Sequence, residues 1–592
     1  MSTTYTRCRR SSLFLLATAQ TLVSGVRRLF SPCSVRWLRW QDRKILSPPV
    51  ASPYLESSKN EHKGSICFST LYLVKACQDS CPDSSRRVDV CEICRARFLC
   101  YFCRIATLLA TPTRERCYFF SIATSCRLRD LRCLSWPFCS PGNTPDLNLK
   151  FSDAMARLHD KYPEDIDVTA LYSESLMVLT PWAMWTKQQT EASDEVEIVP
   201  ANGSTLVVKE ILEQAMLLPG GMEHPAVLHL YCHLMELSND PIAAMPAADI
   251  LRDKWPNAGH LVHMASHIDI WAGHYKAALD TNLAAIAADE VIVERTGIES
   301  SFYKGYHLHN VHMAVWAAMF TGQESIAMEK ARQLSDMLPP GDEHSGVQFM
   351  LEGVIPIGMF LEPYTFVKWH VMIRFGLWDE IIAELRTESP GLYPTSLLFA
   401  NYARGIAFAS KGLVTEAEEE QAKYLEGMRN PALVGRMLHN NLVVSDEGPC
   451  LAKVGEAMLS GEIEYRKGNF DTAFQHLREA VRLDTGLMYD EPWGWMVPSR
   501  HALGGLLLEQ GHIQEATEVF RADLKMYPSN MYGLLGLFQC LDKAGDPEAL
   551  KVKTRFDEAS IAATTKPIAT CFCSEAAGAS APTHTTQVTD QC

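Results

Sequence analysis

A glycine-centred phrase recurs through most of this chain and limits what it can fold into. Each copy reads as a helix, then Gly, a variable residue, an aromatic or aliphatic residue, and a second helix opening with acidic residues and Ala. Copies stand at Trp271-Ala-Gly273-His-Tyr275-Lys-Ala-Ala278, at Phe375-Gly376-Leu-Trp378-Asp-Glu, at Lys411-Gly412-Leu-Val-Thr-Glu416-Ala417 and at Tyr465-Arg-Lys-Gly468-Asn-Phe470-Asp-Thr-Ala473. Others centre on Gly322, on Gly511 with Glu515-Ala516, and on Gly545. Glycine permits the positive φ of a tight helix-to-helix connection. The aromatic residue packs into the helix pair, and alanine lets the two helices approach closely.

The phrase is similar to the tetratricopeptide repeat (TPR). Successive glycines from Gly273 to Gly545 are 49, 54, 36, 56, 43 and 34 residues apart. Two of these intervals match a standard repeat, and the others imply longer helices or insertions. The expected fold is all-α, a TPR-like α-solenoid of about seven helix pairs over residues 149–560, with no alternating strand runs between them.

Further phrases extend the match. They are Phe151-Ser-Asp-Ala-Met155, Tyr162-Pro163, Ala170-Leu-Tyr172 and Pro181-Trp182, then His224-Pro225, His229-Leu-Tyr231 and His233-x2-Glu236. After these come Gly259-His260-Leu-Val-His263-Met-Ala-Ser266-His267, His309-Asn310-x-His312, and Tyr489-Asp-Glu491-Pro492-x-Gly-Trp495-x2-Pro498-x-Arg500. Together they resemble a histidine-rich family of TPR proteins, widespread in bacteria and present in some eukaryotes. The resemblance covers roughly residues 149–547 and implies a fold and a shared pocket rather than an activity. Members of that family usually carry further repeats upstream of the stretch matching Phe151. Here an unlike segment stands in that place.

Charge and cysteine mark that segment off. Residues 1–148 carry 22 Lys+Arg against 10 Asp+Glu, a net of +12, and 13 of the 19 cysteines. The remainder carries 33 against 60, a net of −27. The first segment reads as a non-globular extension: a targeting sequence of signal or organellar transit type, a disordered stretch, or a product of a mistaken gene model. Its pairs Cys91-x2-Cys94 and Cys100-x2-Cys103 have zinc-knuckle spacing, but only five residues separate them, fewer than two facing knuckles need. Residues 561–592, rich in Ala, Thr, Ser and Cys, read as a disordered tail. The acidic body argues against nucleic acid as a partner. Its sparse cysteines fit a reducing compartment such as cytoplasm. No apolar run is long enough for a transmembrane segment.

Histidine carries the chemistry. Ten of the 19 histidines fall between His224 and His312. His229, His233 and Glu236 stand at i, i+4 and i+7, His260, His263 and His267 at i, i+3 and i+7, and His309 and His312 at i, i+3. A helix turns about 100° per residue, so each group shares a face. Equivalent helices of a solenoid lie side by side, so these faces can converge. The candidate metal ligands are His229, His233, Glu236, His263, His267, His309 and His312. They suit zinc, copper or iron without selecting among them. Asp289 and Glu290 are candidate supporting carboxylates. His224, His274 and His307 fall in turns or off the repeated spacing and are left out. Glu491 and Arg500 are candidate ligand-binding residues, with Arg500 able to clamp a carboxylate. No Walker-type phosphate loop or nucleophile elbow is present in the body.

Two functions follow as expectations. One is a TPR-repeat protein whose concave groove carries a His-rich transition-metal or small-ligand site. The other is a TPR scaffold that holds a protein or peptide in that groove without metal or catalysis. Both leave open whether the protein is an enzyme.

Overall fold

Seven glycines with positive φ set the architecture: Gly273, Gly322, Gly376, Gly412, Gly468, Gly511 and Gly545. They are the seven glycines of the recurring phrase. The computed structural model describes residues 144–189, 196–296, 303–337, 362–384, 393–438, 440–571 and 573–574. The expected targeting sequence and the Cys91–Cys103 pairs lie outside these residues.

At each of the seven turns the residue after glycine donates its N–H to the carbonyl five positions back. His274 N reaches Asp269 O at 2.8 Å, Asn469 N reaches Glu464 O at 2.9 Å, and Asp546 N reaches Leu541 O at 2.9 Å. This bond satisfies a carbonyl that the helix end leaves orphaned, and it needs the left-handed residue to form. Five positions after the glycine stands a small or aliphatic residue with no exposed surface: Ala278, Ala327, Ile381, Ala417, Ala473 and Ala516. Gly545 departs from this rule, because Leu550 at that position is exposed. The aromatic residue two positions after glycine is less uniform. Tyr275 is buried, whereas Phe470 stays 37% exposed and lies against the Tyr465 ring.

The protein is mostly helical, with nineteen α-helices among the described residues. The seven glycines join α6 (Gly259–Ala272) to α7 (Tyr275–Thr296), α8 (Tyr303–Phe320) to α9 (Glu324–Asp336), and α10 (Val367–Arg374) to α11 (Trp378–Ala383). They also join α12 (Pro394–Ser410) to α13 (Val414–Gly427), α14 (Leu451–Arg466) to α15 (Phe470–Thr485), α16 (Ser499–Glu509) to α17 (Ile513–Met526), and α18 (Met531–Ala544) to α19 (Glu548–Ala559). Upstream lie α1 (Thr144–Lys161), α2 (Ile166–Met177), α3 (Gly203–Leu217), α4 (Pro225–Met235) and α5 (Met245–Lys254). First helices of neighbouring pairs touch: α4 with α6, α6 with α8, α8 with α10, α10 with α12 and α12 with α14. This brings the three histidine-bearing helices, α4, α6 and α8, side by side. No helix among the described residues is long and apolar enough to cross a membrane.

Two small ribbons are added to this helical frame. β1 (Trp185–Gln189) pairs antiparallel with β2 (Val196–Pro200), and β3 (Met437–Leu438) with β4 (Asn441–Leu442). They are too short to show as alternating runs among helical segments. Thr205 Oγ1 donates to Met184 O at 2.6 Å and ties the first ribbon to α3.

The chain also closes on itself. Tyr275 donates to Pro528 O at 2.9 Å, and Tyr532 donates to Met319 O at 3.2 Å. Residues expected in a disordered tail follow α19 into the same core. The amides of Thr564 and Thr565 donate to Gly322 O at 3.1 and 2.9 Å, and Thr570 Oγ1 donates to His501 O at 2.9 Å. Thr570 and Cys573 are buried, and Cys571 and Cys573 form a disulfide. Their Ala- and Thr-rich composition resembles a linker, but these residues meet polar groups left open at the turns.

The turns differ in what surrounds them, and this gives a test. A Cβ on Gly468 would meet nothing within 4 Å, whereas one on Gly273 would stand 2.3 Å from Pro528 O. Gly468→Ala is expected to cost about 1 kcal/mol, the left-handed penalty alone. Gly273→Ala is expected to cost about 2 kcal/mol more, because rigid backbone on both sides must move. Thermal melts of the two variants check this; equal melting temperatures would contradict the close approach of residues 527–529 to the α6–α7 turn.

Candidate metal centre

The centre is built on α4, α6 and α8, and each helix is positioned by its own chemistry. Helix α4 starts at Pro225, and His224 caps it by accepting Val227 N–H on Nδ1 at 3.3 Å. The other nitrogen of His224 faces Asp167 Oδ1 at 3.1 Å, so this histidine has a structural role. Helix α6 starts at Gly259, where a Cβ would stand 2.0 Å from Asp289 Oδ1. Glycine therefore lets α6 seat against the carboxylate of α7. Asp289 also accepts from Tyr303 and Asn310, both at 2.6 Å, which fixes α8 to α7. Burial pushes the Asp289 carboxyl up to about 6.

Six imidazoles converge. His229 and His233 come from α4, His260, His263 and His267 from α6, and His309 from α8. Ring centroids of His263 and His309 lie 4.4 Å apart, those of His263 and His267 4.7 Å, and those of His233 and His267 5.0 Å. His263 and His267 have no exposed surface. The potential ligand atoms form three groups, each lying within 4.8 Å: His263, His267 and His309; His229, His233 and His260; and His233, Glu236, His267 and Glu491. The inner group is buried, and the His229 group is half-buried.

Glu236 is buried at the hub. Its Oε1 faces His233 Nδ1 at 2.8 Å, and its Oε2 faces His267 Nδ1 at 2.5 Å. Tyr489 donates its hydroxyl to Oε2 at 2.6 Å. Burial works against the charge, but His267 and His233 outweigh it and hold this carboxyl well below the usual range. An ionised carboxylate only accepts, so His233 and His267 both carry their protons on Nδ1. Asn282 makes the same assignment for His263. Its Nδ2 donates to Ala278 O at 2.8 Å, which leaves Oδ1 facing His263 Nδ1 at 2.6 Å. His263 therefore also carries its proton on Nδ1.

The consequence falls between the rings. His263 Nε2 and His267 Nε2 stand 2.8 Å apart. With both protons committed to Nδ1, neutral rings present two lone pairs to one another. A proton on one Nε2, or a metal cation between the two, relieves that repulsion. Burial, followed by repulsion from His267, holds His263 well below its ordinary pKa. Burial and neighbouring imidazoles do the same to His229 and His260. His233 is raised, because Glu236 outweighs its burial. In the outer group His229 Nε2 and His260 Nε2 lie 3.1 Å apart, and His260 Nδ1 is buried with no hydrogen-bond partner.

The loop between α15 and α16 brings Glu491 to the same place. Its Oε1 accepts Trp182 Nε1–H at 2.8 Å, and its Oε2 lies 3.7 Å from His309 Nε2. Burial, and then Glu236, raise its pKa.

Of the residues singled out in the sequence, His229, His233, Glu236, His263, His267, His309 and Glu491 meet in one cluster. His312 stands apart. It is turned by about 60° from His309 along α8, and its Nε2 lies 3.1 Å from Met496 Sδ. Arg500 also stands apart, donating to Thr485 Oγ1 at 2.9 Å. Glu290 faces Gln333 at 3.3 Å on the surface. His260, Asn282, Tyr489 and Trp182 complete the cluster. His260, Tyr489 and Trp182 lie in phrases visible in the sequence, whereas Asn282 carried no signal. No protein-family model matches the chain, and no curated protein sequence matches it.

Arg500 leads to a pH test. It moderates the neighbouring Asp484, whose carboxyl burial pushes up to about 6 even though Asp484 accepts Ser499 N–H at 3.0 Å. A carboxyl raised in the fold binds its proton more tightly folded than unfolded. Stability is therefore highest below the unfolded value of 3.8, falls as pH rises to about 6, and is level above it. The fall is at most about 3 kcal/mol. Asp484→Asn should reduce the slope in this part of the stability profile, to which Asp289 also contributes, measured by urea unfolding at a series of pH values. An unchanged slope would remove Asp484 as its source.

Proposed function

We propose that this protein is a TPR-type α-solenoid that binds a transition metal through His263, His267 and His309. One observation carries the reading: the Nε2 atoms of His263 and His267 face one another at 2.8 Å while both Nδ1 atoms face acceptors, Asn282 and Glu236. Nitrogens sharing a tetrahedral ion at about 2.0–2.1 Å stand about 3.3 Å apart, so the pair needs only a few tenths of an ångström to accept one. Metal-bound histidines usually donate their other N–H to a carboxylate or carbonyl, which fixes the tautomer and raises ligand basicity. Glu236 and Asn282 supply those partners. In this reading Glu236 orients ligands and does not itself bind the ion.

The outer histidines, His229, His233 and His260, offer a second set of nitrogens beside the first. Glu491 stands at the junction, able to complete a coordination shell or to accept a proton from a bound water. An ion held this way supplies a Lewis acid and lowers the pKa of its water. Nitrogen and carboxylate donors suit zinc, iron or copper, and the donor set does not choose among them. The repeat reading rests on the seven glycine turns, six of which have a buried small or aliphatic residue five positions on. The scaffold alternative is weaker beside the histidines, because Tyr489 and Glu491 of the chain itself cover that surface.

Elemental analysis of the full-length protein, expressed in medium supplemented with zinc, copper and iron, tests the proposal. Close to one equivalent or more of a transition metal is expected in the wild type. His263→Ala combined with His267→Ala should lose it while keeping the helical circular dichroism. Glu236→Gln should weaken affinity by about 10–100-fold. His312→Ala should keep the metal. Folded wild-type protein with negligible metal would end the proposal.

A further inference from the structure

Glu236 divides its two oxygens between two groups of rings. Oε2 faces His267 Nδ1, in the buried group with His263 and His309, and Oε1 faces His233 Nδ1, in the half-buried group with His229 and His260. His233 is therefore oriented as His267 is: a carboxylate meets the N–H on Nδ1, and Nε2 is the nitrogen left for an ion. The potential ligand atoms of His229, His233 and His260 lie within 4.8 Å of one another. Ring centroids stand 4.7 Å apart for His229 and His233, 5.1 Å for His229 and His260, and 6.4 Å for His233 and His260. Rings bound through nitrogen to one tetrahedral ion, at about 2.0–2.1 Å, have centroids about 5 Å apart. Two of the three spacings already fit, and the third has about 1 Å to close.

The two groups differ in their tautomers and in their access to solvent. His263 and His267 both hold Nδ1 against an acceptor. His260 does not: its Nε2 faces His229 Nε2 at 3.1 Å, and its Nδ1 is buried with no hydrogen-bond partner. Without an ion, the His260 proton sits best on Nε2, where it donates to His229. An ion on that Nε2 moves the proton to Nδ1, where a buried N–H goes unmet, and this costs affinity. Access favours the outer group instead. The His233 side chain keeps 23% of its surface exposed, and that of His267 keeps none.

We propose that His229, His233 and His260 form a second transition-metal site, weaker and more readily exchanged than that of His263, His267 and His309, with Glu236 orienting one ligand of each. The inference rests on the reading of the inner group as a metal site. The two groups adjoin: centroids of His233 and His267 are 5.0 Å apart, and those of His260 and His263 are 5.7 Å apart. Glu491 stands beside both, with Oε1 4.0 Å from His233 Nδ1 and Oε2 3.7 Å from His309 Nε2. Three nitrogens leave a tetrahedral ion one open position. The outer ion, nearer solvent, is the one that takes a small oxygen- or nitrogen-donor ligand there.

Equilibrium dialysis of the full-length protein against graded zinc chloride tests this, with bound zinc, copper and iron counted together. It is run at about pH 8, because imidazoles must give up a proton to bind a metal. Wild type should reach two equivalents, the second at least about tenfold weaker than the first. His229→Ala should lose the weaker equivalent and keep the tighter one. His260→Ala should do the same, and decides alone if His229→Ala does not fold by circular dichroism. His263→Ala combined with His267→Ala should lose the tighter equivalent and keep the weaker. The second site is overturned, with the inner reading intact, if wild type holds a single equivalent that the His263→Ala and His267→Ala pair removes, or if a second equivalent survives both His229→Ala and His260→Ala. It is also overturned if either outer variant removes the tighter equivalent. Folded wild type with no bound metal ends both readings.

Discussion

The Glu236 carboxylate is the interaction on which the histidine cluster depends. It is 1% exposed, and an ionised carboxylate at such depth is costly unless every oxygen is engaged. Three donors engage it: His233 from its own helix end, His267 from α6 and Tyr489 from the α15–α16 loop. One charge thereby joins three segments that are up to 253 residues apart in sequence. It also decides where protons sit on two rings, which turns a group of histidines into a set of aimed lone pairs. Removing the charge would release the tautomers first and the packing second, since α4 and α6 also share an apolar core.

What could be read from the sequence follows the range of the physics involved. The seven glycine turns were legible because the left-handed residue, the hydrogen bond after it and, in six of them, the buried small or aliphatic residue five positions on are all local. The histidine faces were legible because 3.6-residue periodicity is local too. His312 shows where that stops. Spacing of three leaves about 60° between side chains, and α8 is buried on nearly every side, so either direction finds a partner. His309 turns toward His263 and His312 toward Met496. His260 was on the right face, but only the contact of α4 with α6 brings its Nε2 to His229. Asn282 had no signal at all, since its role exists only once α7 lies behind α6. Arg500 followed Glu491 closely in sequence, but Pro498 begins a helix that carries it toward Thr485. The residues after 560 read as a disordered tail because composition reports what a segment can bury alone, not which turns it can satisfy.

The closure of the chain changes what the inner surface can do. An open stack of helix pairs offers a long groove suited to extended peptides. Here residues 527–531 and 562–570 return to the turns at Gly273 and Gly322 and to the end of α8. Among the described residues these returning segments cover turns and helix ends, and buried polar side chains gather in small clusters such as the one around Glu236. Such sites favour ions and small molecules, because a few converging donors in low dielectric discriminate strongly while little apolar area is needed.

The α15–α16 loop links two of these sites. Tyr489 and Glu491 at its start reach the histidine cluster, and Trp495 and Val497 near its end line a small cavity bordered by His370, Arg374 and Glu462. Between them, Trp493 stacks on Trp316 with centroids 5.1 Å apart, and Met496 meets His312. Trp495 lies edge-on to His370 at 4.6 Å. Helix α8 therefore carries one histidine in the histidine cluster and another that anchors the loop bringing Glu491 to it. His312 then has a physical role outside any ligand set: it fixes the far end of the segment whose near end places Glu491. A rigid loop held at Glu236, Trp316 and His312 cannot shift at one site without disturbing packing at the other, because close-packed interiors have discrete rather than continuous alternatives.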